Sequence, residues 1–267
     1  MREAFDLPIV PPVAGALPGV AVALAVAFAP LLSPRPTAPL RHAAAAAAPS
    51  VRTVVERLSA KTPAYRAVLD VPQLVFAARP NVSDRVDAAI ATWVSGQVHL
   101  FAGAVATDLA HAKGLPASLP ESSLDLTFRV ERLDTHVLSL RLTMESYVRG
   151  QASPAQVPAG LTFNLANGQP YSLSSLFAPH AAYLPVLARL ATTALKQFRP
   201  AGARCYVGGV GPPAKASSFV AWWLHGQSLV LSYPAGQYTA AYCGPPTVTV
   251  PAAALAALLA AGGPLAA

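Results

Sequence analysis

Segments with regular hydrophobic spacing come in runs along this chain, and their order limits the folds that it can form. In the first run, residues 81–114, apolar side chains recur at helical spacing, which predicts a long helix. Two segments with strand-like alternation follow, residues 124–130 and 136–148. The residues between them are typical of a turn, so these two segments are predicted to form a hairpin.

The second half continues with shorter segments of the same kinds. It predicts a short strand at residues 161–165 and a second main helix at 181–198. A second hairpin is predicted from residues 219–224 and 228–233, and a last strand at 247–250. Pro251 then opens an Ala/Leu-rich helix. Strands and helices therefore come in runs and not in strict βαβ alternation. The pattern indicates an α+β fold, with a mixed, mainly antiparallel sheet packed against two main helices.

The N-terminal region carries no charged side chain from Leu7 to Pro34. Residues 13–32 supply the roughly 20 apolar residues that a bilayer core requires. Residues 1–34 are therefore predicted to be a signal peptide or a retained membrane anchor, two alternatives that the sequence leaves open. Residues 35–62 are rich in Pro and Ala at their start and are predicted to be a linker, with the folded part starting near Thr62. Residues 63–150 and 151–262 are predicted as two subdomains.

The acidic side chains are distributed unevenly. All 12 Asp and Glu residues lie at or before Glu145, whereas the chain from Ser146 onwards carries six basic side chains and no carboxylate side chain. Paired-carboxylate catalysis, calcium sites and Asp-oriented Ser-His triads therefore cannot lie wholly within the second half. With 54% hydrophobic and 12% charged residues, the composition also excludes disorder along the whole chain.

The remaining chemical signals are sparse. The net charge of +7 comes without a Lys/Arg run or aromatic residues interleaved with basic ones, so nucleic-acid binding is not expected. The sequence lacks a G-x-S-x-G nucleophile elbow, a zinc-binding motif and a complete phosphate loop. We therefore expect no metal, no cofactor and no catalytic residues.

Cys205 and Cys243 are the only two cysteines. They could be two buried free thiols or a disulfide that closes a long loop around the second predicted hairpin. The predicted export segment favours the disulfide, because such bonds persist in oxidising compartments.

Several turn segments of the second half resemble one family. Residues 147–154 (YVRGQASP), 161–177 (LTFNLANGQPYSLSSLF) and 219–251, which include PAGQYTAAYCGP, are similar to the RsiV-like extracytoplasmic domain family. This family includes the lysozyme-sensing ectodomain of an anti-sigma factor and a secreted mycobacterial immunogenic antigen. The resemblance covers about residues 64–260 and implies an α+β domain outside the cytoplasm, either anchored in the cell membrane or secreted. Arg35 and Arg41 lie just after the apolar segment. Basic residues beside a membrane segment usually face the cytoplasm, so these two favour the opposite orientation, with the folded domain in the cytoplasm.

These observations lead to a functional hypothesis. The chain is expected to be an exported, envelope-associated, non-catalytic binding domain that recognises a cell-envelope protein or an anionic wall polymer. Arg149, Tyr233, Tyr238 and Tyr242 are the candidate ligand-binding residues. Exposed tyrosines suit a recognition surface, but buried ones would belong to the core.

The alternative hypothesis is an envelope hydrolase, an esterase or amidase without a recognisable site. Ser153 and His225 are the residues to substitute in a test of that alternative.

Overall fold

A computed structural model describes residues 48–111, 116, 118–202, 205–206 and 211–266. Six strands form the first sheet in the order β1-β2-β3-β4-β5-β6: Ser50–Lys61, Ala64–Val75, Ser122–Leu133, Val137–Tyr147, Ala155–Asn164 and Gln169–Pro170. Neighbouring strands are antiparallel, except that β2 and β3 run parallel. The long helix α1, Pro80–His111, connects this parallel pair.

α1 packs one face against the first sheet. Val86, Ile90, Val94, Phe101 and Val105 are buried there, against alternate residues of β2 to β5. Their spacing follows the helical repeat, so a single stripe of the helix enters the core while the opposite face remains exposed. Over Pro80–Asp108, α1 is also the one helix of the described part that is long and apolar enough to cross a membrane.

The second sheet is built from the C-terminal third of the chain. Its three antiparallel strands, β7 (Trp222–His225), β8 (Ser228–Ser232) and β9 (Thr247–Pro251), are adjacent in chain order. The helix α2, Tyr183–Gln197, buries Leu187, Ala191 and Leu195 in the second hydrophobic core, which also contains the inward residues of this sheet.

The two sheets meet face to face at β4, β5 and β7. Ser139 and Thr162 share a buried hydrogen bond of 2.8 Å, and Ser139 Oγ also accepts a hydrogen bond from the Leu224 amide at 2.8 Å. Gly160 lies against the backbone of Trp222, where a Cβ atom would overlap the carbonyl group. Alternation along β4 sends Val137 and Ser139 toward the second core and Leu138 toward the first. The molecule therefore has two cores on the two faces of one sheet.

The fold class is the predicted one, an α+β fold with a mostly antiparallel sheet. Individual elements differ from the prediction. β1 occupies the later part of the predicted linker, and β5 begins at Ala155, six residues before the predicted strand at 161–165. The C-terminal Ala/Leu segment is a 3₁₀ helix, Ala252–Leu258. β4 and β5 pair with each other on either side of position 150. The predicted signal or anchor segment, residues 1–34, lies outside the described residues.

Candidate functional site

A disulfide holds the loop that carries the candidate tyrosines. Cys205 and Cys243 are bonded, with their Cα atoms 6.0 Å apart, which confirms the disulfide alternative. The loop spans residues 233–246 between β8 and β9, and the amide of Ala240 donates to the carbonyl of Cys205 at 2.8 Å. Gly244, next to the disulfide, has a φ of 72°, a conformation that side chains with a Cβ rarely adopt. The disulfide and these backbone contacts tie the loop to the segment that follows α2.

The three tyrosines of this loop have different environments. Tyr233 is only 2% exposed and packs edge-to-face against the ring of Tyr238, with ring centroids 5.0 Å apart. Burial raises the pKa of the Tyr233 hydroxyl well above its usual range. Tyr242 is 79% exposed. Tyr233 is thus part of the core, as the alternative interpretation expected, and Tyr242 is the tyrosine that faces solvent.

Arg149 lies elsewhere, at the end of the first sheet. Its amide donates to Ser122 Oγ at 3.1 Å, and one Nη donates to the carbonyl of Pro116 at 2.8 Å. Its Nε is buried and has no hydrogen-bond partner among the described residues. These contacts hold the chain between β4 and β5 against the start of β3. The structure thus places Arg149 at the first sheet, whereas Tyr233 belongs to the second core.

A shallow basic groove, largely open to solvent, runs along α2 and was not singled out by the sequence analysis. Its volume is about 500 Å³, and its lining residues are Ala188, Arg189, Thr192, Thr193, Lys196, Gly211, Pro212 and Pro213. Arg189 and Lys196 are seven residues apart and share one face of the helix. Gly211 forms the opposite wall in contact with Thr192, and a Cβ at position 211 would overlap that side chain. We call these eight residues the α2 groove.

The electrostatics of the α2 groove are one-sided. Arg189 and Lys196 are exposed, and neither has an ion-pair partner among the described residues. The hydroxyl groups of Thr192 and Thr193 donate to carbonyls one helical turn earlier, at 2.7 and 3.0 Å. The two cations are therefore available to an anionic ligand, in a half of the chain that has no carboxylate side chain.

His225 makes a contact that its sequence position did not indicate. Its Nδ1 lies 2.9 Å from Glu131 Oε2, and the other carboxylate oxygen of Glu131 lies 3.2 Å from Arg141 Nε. Ser153 lies at the opposite end of β4, in the loop before β5. Glu131 lies beside Ser139 and Leu140, so about seven residues of β4, or roughly 23 Å, separate the two positions. Ser153 and His225 therefore do not form a catalytic pair.

Metal-ligand clusters do not occur in the described part of the chain, where no three His, Cys, Asp or Glu side chains converge.

Comparison with known proteins yields structural matches only. No family model matches the sequence, and no curated protein matches it. A solved structure of a DUF3298 family member from Bacteroides fragilis matches with a TM-score of 0.52 and 16% identity, covering 79% of this chain and 93% of that one. The fold resembles a DUF3298 domain. A DUF3298 family protein from Pseudomonas aeruginosa aligns at a TM-score of 0.49 with 10% identity, over 79% of this chain and 94% of that one. The resemblance to RsiV-like domains stays a prediction.

Proposed function

We propose that this chain is an exported, envelope-associated, non-catalytic binding domain of RsiV-like type, and that its α2 groove binds an anionic wall polymer. The observation that carries the proposal is the pair Arg189 and Lys196, exposed without ion-pair partners among the described residues beside a groove of about 500 Å³. Phosphate groups spaced along a flexible polymer can contact both cations in turn.

The charge distribution supports the same ligand class. A surface with one sign of charge raises the local concentration of ligands of the other sign and repels ligands of its own. Since the second half has no carboxylate side chain, none of its own side chains repels an approaching polyanion. Attraction of this kind weakens as salt is added, so the proposed binding should depend strongly on ionic strength.

The disulfide supports the proposed location. Bonds such as Cys205–Cys243 are rare in reducing compartments and common in secreted and surface proteins. An exported domain with a basic groove would meet the phosphate-rich polymers of a cell envelope.

Calorimetric titration of the protein with poly(glycerol phosphate), at low and at high ionic strength, tests the proposal. Arg189→Glu/Lys196→Glu should weaken binding at low salt by about tenfold or more, because two attractions become repulsions. Arg57→Glu/Arg129→Glu is the matched control, since it changes the net charge equally at two exposed residues of the first sheet. An equal loss in both double variants would show that net charge, and not the groove, attracts the polymer. Binding that does not change with salt would contradict the proposal.

A protein ligand is the second candidate, and the exposure of Tyr242 favours it. A rigid aromatic side chain that is 79% exposed on a loop held by a disulfide is a typical anchor for a protein partner. Lysozyme, suggested by the RsiV-like resemblance, is the first protein to test by interferometry. Tyr242→Ala should abolish its binding, while the groove double variant should retain it. Retention of full affinity by Tyr242→Ala would remove this candidate.

A further inference from the structure

The strand β1, Ser50–Lys61, is an unusually long open edge. It is the terminal strand of the first sheet and has 12 residues, whereas β6 at the other edge has two. Within the described residues, β1 pairs on one side only, with β2. It contains no proline and its pairing runs without a bulge. Proteins commonly protect sheet edges with short strands, prolines, bulges or charged side chains. β1 has only the charged side chains, so it is suited to pairing with a strand that places opposite charges against them.

Apolar side chains are concentrated at this edge. Val54, Val55 and Leu58 of β1 are 38%, 46% and 40% exposed. Val54, Glu56 and Leu58 alternate onto the face that carries α1. There, Leu58 and Glu56 line a groove of about 190 Å³ together with residues of β2 and α1. The edge strand thus extends an apolar surface beyond the helix that covers the rest of that face.

We propose that β1 pairs antiparallel with β1 of a second copy of this chain, which makes one continuous sheet across a homodimer. A two-fold axis normal to the sheet requires one residue to face its own copy. With Val54 at the axis, Arg52 of each chain faces Glu56 of the other, and Ser50 faces Leu58. The symmetric pairing therefore creates two opposite-charge pairs on the helix-bearing face, with Val54 between them.

The charges of β1 select this register over its neighbours. Placing Arg52, Glu56 or Arg57 at the axis sets a charge directly against its own copy, which is unfavourable. Placing Thr53, Val55 or Leu58 there leaves Glu56 without a facing cation. Glu56 has no ion-pair partner among the described residues. Arg52 uses its Nε for Gln73 Oε1, at 2.7 Å, which leaves its Nη groups for the facing carboxylate.

The pairing also covers the exposed apolar residues. Since the axis is normal to the sheet, both copies of α1 lie on the same face of the joined sheet. The two copies of Val54 then meet at the axis between the two helices, and each Leu58 lies opposite Ser50, beyond an Arg52–Glu56 pair. On the other face, Val55 lies opposite Thr53.

Sedimentation velocity of the full chain over a range of concentrations measures the dimer. Arg52→Glu should weaken it by about tenfold or more, because each facing pair becomes two carboxylates. Arg52→Glu/Glu56→Arg, which restores opposite charges, should recover the dimer. Arg57→Glu is the matched control, because Arg57 faces Val51 and should leave the dimer unchanged. Circular dichroism establishes that each variant is folded.

Cysteine cross-linking tests the register. Val54→Cys should form a disulfide-linked dimer under mild oxidation, because directly opposed Cβ atoms are about 5 Å apart. Val68→Cys on β2, which is 39% exposed against 38% for Val54, should stay monomeric on a non-reducing gel. A monomer at every concentration, or a dimer that tolerates Arg52→Glu, would overturn the proposal. So would a dimer that forms only after residues 1–47 are removed, since that segment would then occupy the edge.

Discussion

Gly160 of β5 packs directly against the backbone of Trp222 in β7, so close that a Cβ atom at position 160 would overlap the Trp222 carbonyl. This contact sets how closely the two sheets approach. It lies beside the buried hydrogen bond from Leu224 to Ser139, and together they join the two cores of the molecule.

Substitution of Gly160 should therefore separate the sheets. Gly160→Ala should lower the free energy of unfolding by about 3 kcal/mol, because the overlap is with backbone and no rotamer can relieve it. Gly103→Ala in α1 is the control. Its Cβ would meet no atom within 4 Å, so the variant should gain about 0.5–1 kcal/mol from helix propensity. Urea denaturation measures both variants, and an unchanged midpoint for Gly160→Ala would contradict the packing described.

Ser139→Ala tests the polar contact between the sheets. The change leaves the buried amide of Leu224 without its 2.8 Å acceptor, which should cost about 1–3 kcal/mol of stability. Ser59→Ala, the same change at an exposed strand position, should stay within about 0.5 kcal/mol of the original protein. Denaturant titration distinguishes the two variants. Equal stabilities would mean that the Leu224 amide finds another acceptor.

Cys205→Ser/Cys243→Ser should lower the free energy of unfolding by about 4 kcal/mol, because the disulfide closes a span of 38 residues and restricts the unfolded chain. Denaturation with and without reductant checks this. In reductant, the free energy of unfolding of the original protein should fall to that of the double variant. The free energy of unfolding of the variant should be the same with and without reductant. A reductant effect on the variant would point to another cause.

Asp134 should make stability depend on pH at the acidic end. Burial opposes its ionisation. Hydrogen bonds from the His136 amide, Arg132 Nε and the Val137 amide outweigh burial and hold the pKa of its carboxyl below the ordinary 3.8. A lowered folded-state pKa stabilises the fold at pH values above the unfolded-state pKa. This contribution is lost as the pH falls through the folded-state pKa.

Asp134→Asn should therefore destabilise the protein at pH 7 by no more than about 1 kcal/mol, since the carboxyl is 37% exposed. The difference from the original protein should shrink as the pH falls below about 4. Denaturation at a series of pH values measures it. Asp125→Asn, at an exposed position opposite Glu145, should cause no loss at pH 7. A difference for Asp134→Asn that persists undiminished to pH 2 would contradict the role of its charge.

The elements that the sequence predicted well are those with a strong local pattern. α1 was predicted at 81–114 and spans Pro80–His111, since its buried stripe repeats at helical spacing. β1 was missed because most of its residues are exposed on both faces, which removes the alternation on which strand prediction depends. The strand predicted at 161–165 is too short, because Pro158 and Gly160 interrupt the alternation of the preceding residues, which also pair with β4.

The candidate site was only partly predictable. The disulfide was the favoured one of two alternatives for the cysteines and is confirmed, whereas the ligand-binding role of the tyrosines stays a prediction. The α2 groove was missed, because its wall at Gly211–Pro213 and the helix face with Arg189 and Lys196 come together only in the folded chain. The Glu131–His225 contact likewise joins positions 94 residues apart.

The sequence by itself determined the α+β class, the main helices and the absence of carboxylate side chains after Glu145, because periodicity and composition are properties of local segments. Only the tertiary structure decided that Tyr233 is buried while Tyr242 faces solvent, and that β1 is an open edge. Exposure and strand order depend on which distant segments pack together. The energies that choose those partners come from contacts between residues far apart in the chain.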